Sequence, residues 1–147
     1  IGADLSQANL RIAKLGGADL SGANLAQSDL FRANLSLAKL ISTNLWGVNL
    51  EDANLEWASL TGADLTSSNL RLANLRGAKL NVTNLNGVIL HDANLSNVVA
   101  LGVNLYRADL TDADLTGAIL ERASLTEAIF CNTKMPDETM NISGCKQ

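Results

Sequence analysis

The side chains able to do chemistry are few, and they gather between residue 91 and the end of the chain. His91 is the only histidine, Cys131 and Cys145 are the only cysteines, and Asp92, Asp109, Asp112 and Asp114 cluster between them. Carboxylates at such spacing are the ligand type that hard cations take, but no glycine-containing calcium loop surrounds these four. Metal binding is therefore expected to be weak or absent. No cysteine, serine or acid triad surrounds His91 in the repeat register described below, so it reads as a solvated surface residue. Nucleophilic catalysis needs a base held against an exposed nucleophile by a third group, and none is assembled here. The cysteines have the wrong spacing for a redox C-x-x-C motif, and two sulfurs with one distant histidine make a poor zinc site. Two readings of them stand: unpaired thiols in a reducing cytoplasm, or a structural disulfide closing about 14 residues, worth about 3 kcal/mol. The disulfide is favoured and implies an oxidising compartment.

What must position these groups is a period of five. From Leu5 to Leu125 every fifth residue is leucine, Ala100 excepted, and Phe130 follows in phase. Two residues earlier, each position from Ala3 to Thr133 holds Ala, Ser, Thr or Val, and between the two stands most often Asn or Asp. The unit is small–(Asn/Asp)–Leu–x–x. A helix would spread such leucines around all its sides. A continuous strand would send alternate ones to opposite faces. The leucines share one side only if the chain turns a corner in each repeat, with the small residue and Leu pointing in and Asn/Asp pointing out. Gly2, Gly17, Gly22, Gly47, Gly62, Gly77, Gly87, Gly102 and Gly117 occupy the second variable position, where a turn needing positive φ favours glycine.

Charge spacing bears on how many corners make one lap. At a separation of 20, opposite charges meet at Asp19/Lys39, Arg32/Asp52, Glu51/Arg71, Glu56/Arg76, Arg107/Glu127 and Asp114/Lys134, against one like pair, Asp92/Asp112. At a separation of 15 there are five opposite pairs and three like ones. Four sides fit better, although such exposed pairs contribute only about 0–1 kcal/mol each.

The run A-D-L-S-Q, A-N-L-R-I, A-D-L-S-G, A-N-L-A-Q and its continuation resembles the pentapeptide-repeat proteins. That resemblance implies an all-β fold, a right-handed quadrilateral parallel β-helix of 20 residues per coil. The repeat solenoid spans 1–133, and 134–147 form a capping segment of the same domain, expected to be short and irregular or helical. Pro136, Glu138 and the two cysteines break the pattern there, and a solenoid needs its last coil covered. The tail also resembles the cysteine-closed ends of cyanobacterial and chloroplast members found in the thylakoid lumen. Thylakoid lumen or periplasm is thus the expected location, with cytoplasm the alternative.

A net charge of −4 from 15 acids and 11 bases argues against a nucleic-acid binder, which needs a basic face. No apolar run approaches the ~18 residues of a membrane span. The chain opens at Ile1, already inside the repeat, which suggests that residues upstream were removed. The four Asn-x-Ser/Thr sequons, at Asn34, Asn81, Asn94 and Asn141, follow from repeat composition and carry no glycosylation claim. An interior filled with Leu and Ala holds no cofactor. Outward in the register, Leu37 and Trp57 fall in one column, one coil apart, flanked by Gly17 and Gly77; contiguous exposed apolar residues often mark a partner site. The expected function is a non-catalytic structural or protein-interaction solenoid with an unknown protein partner, monomeric rather than dimeric. The alternative, implied by the resemblance, is a DNA-mimicking inhibitor or protector of a type II topoisomerase (gyrase). Such a mimic should present an extended negative field, whereas acids here alternate with bases.

Overall fold

The computed structural model describes residues 1–146. The chain winds as a right-handed quadrilateral β-helix. Residue i pairs in parallel with residue i+20 in an unbroken series from Asp4↔Asn24 to Asp114↔Lys134, so one coil is 20 residues and the charge spacing had selected the correct lap. The four walls, taken in chain order within the first coil, are called here faces one to four. They centre on Asp4, Asn9, Lys14 and Asp19.

Each repeat satisfies its backbone donors by a fixed rule. The Leu N–H donates to the carbonyl of the residue 19 further on, as Leu25 does to Asn44 at 2.7 Å. The Asn/Asp N–H donates to the preceding coil, as Asn24 does to Ala3 at 2.8 Å. At the corner, the next small residue donates back to the Leu carbonyl, as Ala33 does to Leu30 at 2.9 Å. Every second corner residue from Gly2 to Asn132 has φ between 49° and 69°. Glycine is therefore not required there: Ile12 (φ 61°) and Val82 (φ 49°) adopt the same left-handed conformation, an outlier for β-branched residues that the regular ladder imposes.

Inside, the leucines from Leu25 to Leu115 are at most 2% exposed, and the small residues stack beside them. The five buried hydroxyl residues, Ser28, Thr43, Ser68, Thr83 and Thr133, each donate to a Leu carbonyl; Thr83 to Leu60 at 2.8 Å is representative. Ala100, the missing leucine, is flanked by Val98 and Val103, both buried. The larger neighbours restore volume that Ala100 gives up, the compensation that close-packed cores tolerate best. Leu5, Leu10, Leu15 and Leu20 are only partly buried, because the first coil has a neighbour on one side alone.

After Phe130 the chain forms two short strands, β1 (Thr133–Lys134) and β2 (Met140–Asn141), paired antiparallel. Of the two forms expected for the cap, irregular or helical, the segment takes the non-helical one: no helix occurs among the described residues. Pro136 and the turn closed by Glu138 N–H to Met135 O (2.9 Å) fold the segment back, and the disulfide Cys131–Cys145 holds it (Cα–Cα 4.5 Å). Gly144 lies so close to Ile129 and Phe130 that a Cβ there would meet the Phe130 nitrogen at 2.8 Å.

Candidate protein-binding face and C-terminal cap

The Asn/Asp position, which reads as merely outward, has a structural task that the repeat pattern had not disclosed. Its Oδ1 accepts the N–H of the residue two further on, the first corner residue: Asp4 accepts from Ser6 at 3.1 Å, Asn54 from Glu56 at 3.0 Å, Asn104 from Tyr106 at 3.0 Å. This closes the corner by an Asx turn. Asn side chains also bond along the column, as Asn44 Nδ2 does to Asn24 Oδ1 (3.1 Å) and Asn104 Nδ2 to Asn84 Oδ1 (3.1 Å). The signal was present in the sequence, since Asn and Asp are the residues that make this bond.

Three of the six charge pairs expected at a separation of 20 form within 4 Å: Arg32–Asp52 at 2.7 Å, Arg76–Glu56 at 3.6 Å and Arg107–Glu127 at 2.6 Å. Asp19/Lys39 and Asp114/Lys134 are backbone neighbours whose side chains stay further apart. Glu51 instead accepts from Asn69 (3.1 Å) while Arg71 turns to Asp92 (3.9 Å). Long side chains at a corner thus choose diagonal as well as vertical partners. Arg107, and secondarily the Tyr106 hydroxyl, hold the Glu127 carboxyl below its ordinary range, and the same Glu127 raises Tyr106.

His91 is not the isolated surface residue that the register suggests. Its Nε2 lies 2.7 Å from Asp109 Oδ2, a separation of 18 that a search along the columns misses. Burial works against the Asp109 charge, but hydrogen bonds from the Thr111 hydroxyl and then His91 outweigh it and lower its pKa. Both residues line a cavity of about 290 Å³ with Thr111, Ile129, Cys131, Gly144 and Lys146. Asp112 sits one coil beyond Asp92 at the same corner, and Asp114 is engaged by Thr116. Among the described residues no three His, Cys, Asp or Glu side chains converge as metal ligands. Nor is any described helix long and apolar enough to cross a membrane.

Leu37 and Trp57 stand on the corner between faces three and four, 66% and 53% exposed. The Trp57 ring lies over Gly77, where a Cβ would meet ring carbons at 2.3 Å. Glycine in the next coil is what lets the indole lie flat against the rod.

The five-residue unit, the 20-residue coil and the asparagine-bearing corners together decide the family. A family model described as Pentapeptide repeats matches in eight copies, over residues 1–27, 12–47, 38–77, 49–87, 68–99 and 108–136. The chain belongs to the pentapeptide repeat family. No curated protein matches it. Among solved structures, the pentapeptide repeat protein Rfr23 from the cyanobacterium Cyanothece 51142 is 44% identical over 59% of this chain and 59% of that one, with a TM-score of 0.59. A pentapeptide repeat protein from the Arabidopsis thaliana thylakoid lumen is 30% identical over 84% of this chain and 72% of its own (TM-score 0.50). QnrB1, a plasmid-mediated fluoroquinolone resistance protein, is 20% identical over 90% of this chain and 76% of its own (TM-score 0.72). That last likeness concerns the fold alone.

Proposed function

We infer that this pentapeptide repeat protein is a non-catalytic interaction module, working in an oxidising compartment and using its outer walls to bind another protein. The observation that carries this reading is the contrast between a filled interior and unused exterior chemistry. The central leucines and alanines leave no room for a substrate or cofactor, while Leu37 and Trp57 face outward, where the core gains nothing from them. Repeat solenoids offer such extended surfaces to partners. The Cys131–Cys145 disulfide and the likeness to a thylakoid-lumen protein support the compartment. The topoisomerase alternative has less support, because Arg11, Arg32, Arg76 and Arg107 are each tied to a carboxylate along the rod, which breaks up any continuous negative field.

The test is affinity capture from the source's extract with the wild type and with a Leu37→Ser/Trp57→Ser variant of equal stability. A protein held by the first and lost by the second supports the module and its patch. The absence of any specific partner for the wild type at physiological concentration defeats the reading.

A further inference from the structure

Face four departs furthest from the Asn/Asp rule, which the other walls break only at Ser124, at Ile89 and Ile129, and at Lys14 and Lys134. Its outward positions read Asp19, Lys39, Ser59, Lys79, Val99 and Ile119, with no asparagine among them. Each other face carries at least three asparagines at this position. The consequence is structural: beyond Asp19, which still accepts from Ser21 (3.1 Å), the face makes no Asx turn, and the N–H groups of Ile41, Thr61 and Asn81 have no acceptor among the described residues. Leu101 N–H finds Asn81 Oδ1 in the preceding coil instead. The wall has given up stabilising corner bonds for side chains that contribute nothing to the core. A sequence that breaks its own folding rule without compensation is marked for function.

What replaces asparagine is coherent. Lys39 and Lys79 are exposed, lie two coils apart on one column, roughly 10 Å, and neither has a carboxylate within ion-pair distance among the described residues. Around them stand Leu37 and Trp57 on one bordering corner and Ile41 and Val82 on the other, between 41% and 66% exposed. Between residues 36 and 120 the only acid on this wall or its two corners is Glu56, and Arg76 already engages it. In a chain of net charge −4 such a strip is a local inversion of sign.

We propose that face four is the docking surface of the protein, and that its partner is an acidic protein segment carrying an apolar or aromatic side chain flanked by carboxylates. The apolar residue seats against Trp57 and Leu37, and the carboxylates meet Lys39 and Lys79. The proposal rests on the interaction reading above and names the partner's chemistry. Charge complementarity selects the occupant: the two lysines are uncompensated cations, and desolvated apolar centres rimmed by charge are how protein interfaces gain affinity and steering. An anionic membrane would also attract lysine and tryptophan, but the acidic remainder of the rod would be repelled by it.

The experiment is a selection of a random displayed-peptide library on the intact, oxidised protein, followed by titration of the selected peptides. Enrichment of Asp and Glu around a Leu, Phe or Trp is expected. Affinity should fall at least tenfold in Lys39→Glu/Lys79→Glu and again as salt rises. A matched control, Arg71→Glu on the corner between faces two and three, should bind as the wild type does. Enrichment of basic or uncharged peptides, no enrichment, or binding that survives the face-four changes overturns the proposal, as does tight binding to phosphatidylserine vesicles. Equal capture of one extract protein by wild type and Lys39→Glu/Lys79→Glu would leave the interaction function standing and remove face four from it.

Discussion

At the scale of single residues, the repeat assigns each side chain a task that substitution can expose. Gly77 combines φ +66° with the overlying Trp57 ring. Gly77→Ala should therefore destabilise by about 1–2 kcal/mol, from the left-handed backbone cost and from displacement of the indole. Trp57→Ala made first should remove the second part, so denaturant melts of the two single variants and the double variant will be non-additive. Carboxylates respond to acid in one direction. Asp109 and Asp114 are lowered despite burial, by Thr111 and His91 in one case and by Thr116 and then Lys134 in the other. A depressed folded pKa contributes stability that is present above the unfolded value, 3.8 here, and is lost as pH falls through the folded one. The melting temperature should hold from neutral pH down to about 4 and drop below it. Asp109→Asn should shallow that drop, as thermal melts across pH will register.

At the scale of elements, the cap and the corner obey different physics. The corners are local, each closed by a backbone bond and, wherever Asn or Asp stands at the outward position, by its side-chain oxygen. The cap is held by distant partners. Gly144 N–H reaches Phe130 O at 3.2 Å, and Cys145 is joined to Cys131 across 14 residues. Breaking that closure should free the tail without unwinding the coils. Cys145→Ser is expected to cost about 3 kcal/mol in the chain-entropy model. Amide exchange should rise in β1, β2 and the following residues while Leu65 and its neighbours stay protected. Equal loss of protection along the whole rod would show that the cap and coils unfold as one unit.

At the scale of the molecule, stability comes from stacking, since each coil contacts only its neighbours. Leu70 is fully buried between two coils, whereas Leu10 has one neighbouring coil and remains partly exposed. Leu70→Ala should cost about 2–5 kcal/mol and Leu10→Ala clearly less, as urea melts of the two variants will reveal. The same one-dimensional order explains how a wall can change character. Face four exchanges asparagine for Lys, Ser, Val and Ile over five coils while the leucines behind it stay sealed, because inward and outward positions alternate along each strand and are chosen independently.

By itself the sequence determined the register, which residues face in and where the chain turns, because a period of five admits no ordinary helix or strand; its charge spacing favoured a lap of 20, which the parallel pairing then established. It also marked the tail as different, through Pro136, Glu138 and two cysteines. The tertiary structure alone decided relations between columns. The His91–Asp109 and Arg11–Asp29 contacts at a separation of 18 depend on how long side chains lean across a corner, which spacing rules do not contain. The antiparallel cap depended on where Pro136 turned the chain. The indole over Gly77 depended on which neighbour lacked a side chain. Asparagine's corner bond was legible in its residue type, and its loss from face four in the residues at 39, 59, 79, 99 and 119 once the lap of 20 had sorted the repeats into walls; the geometry added which N–H groups that loss left unpaired.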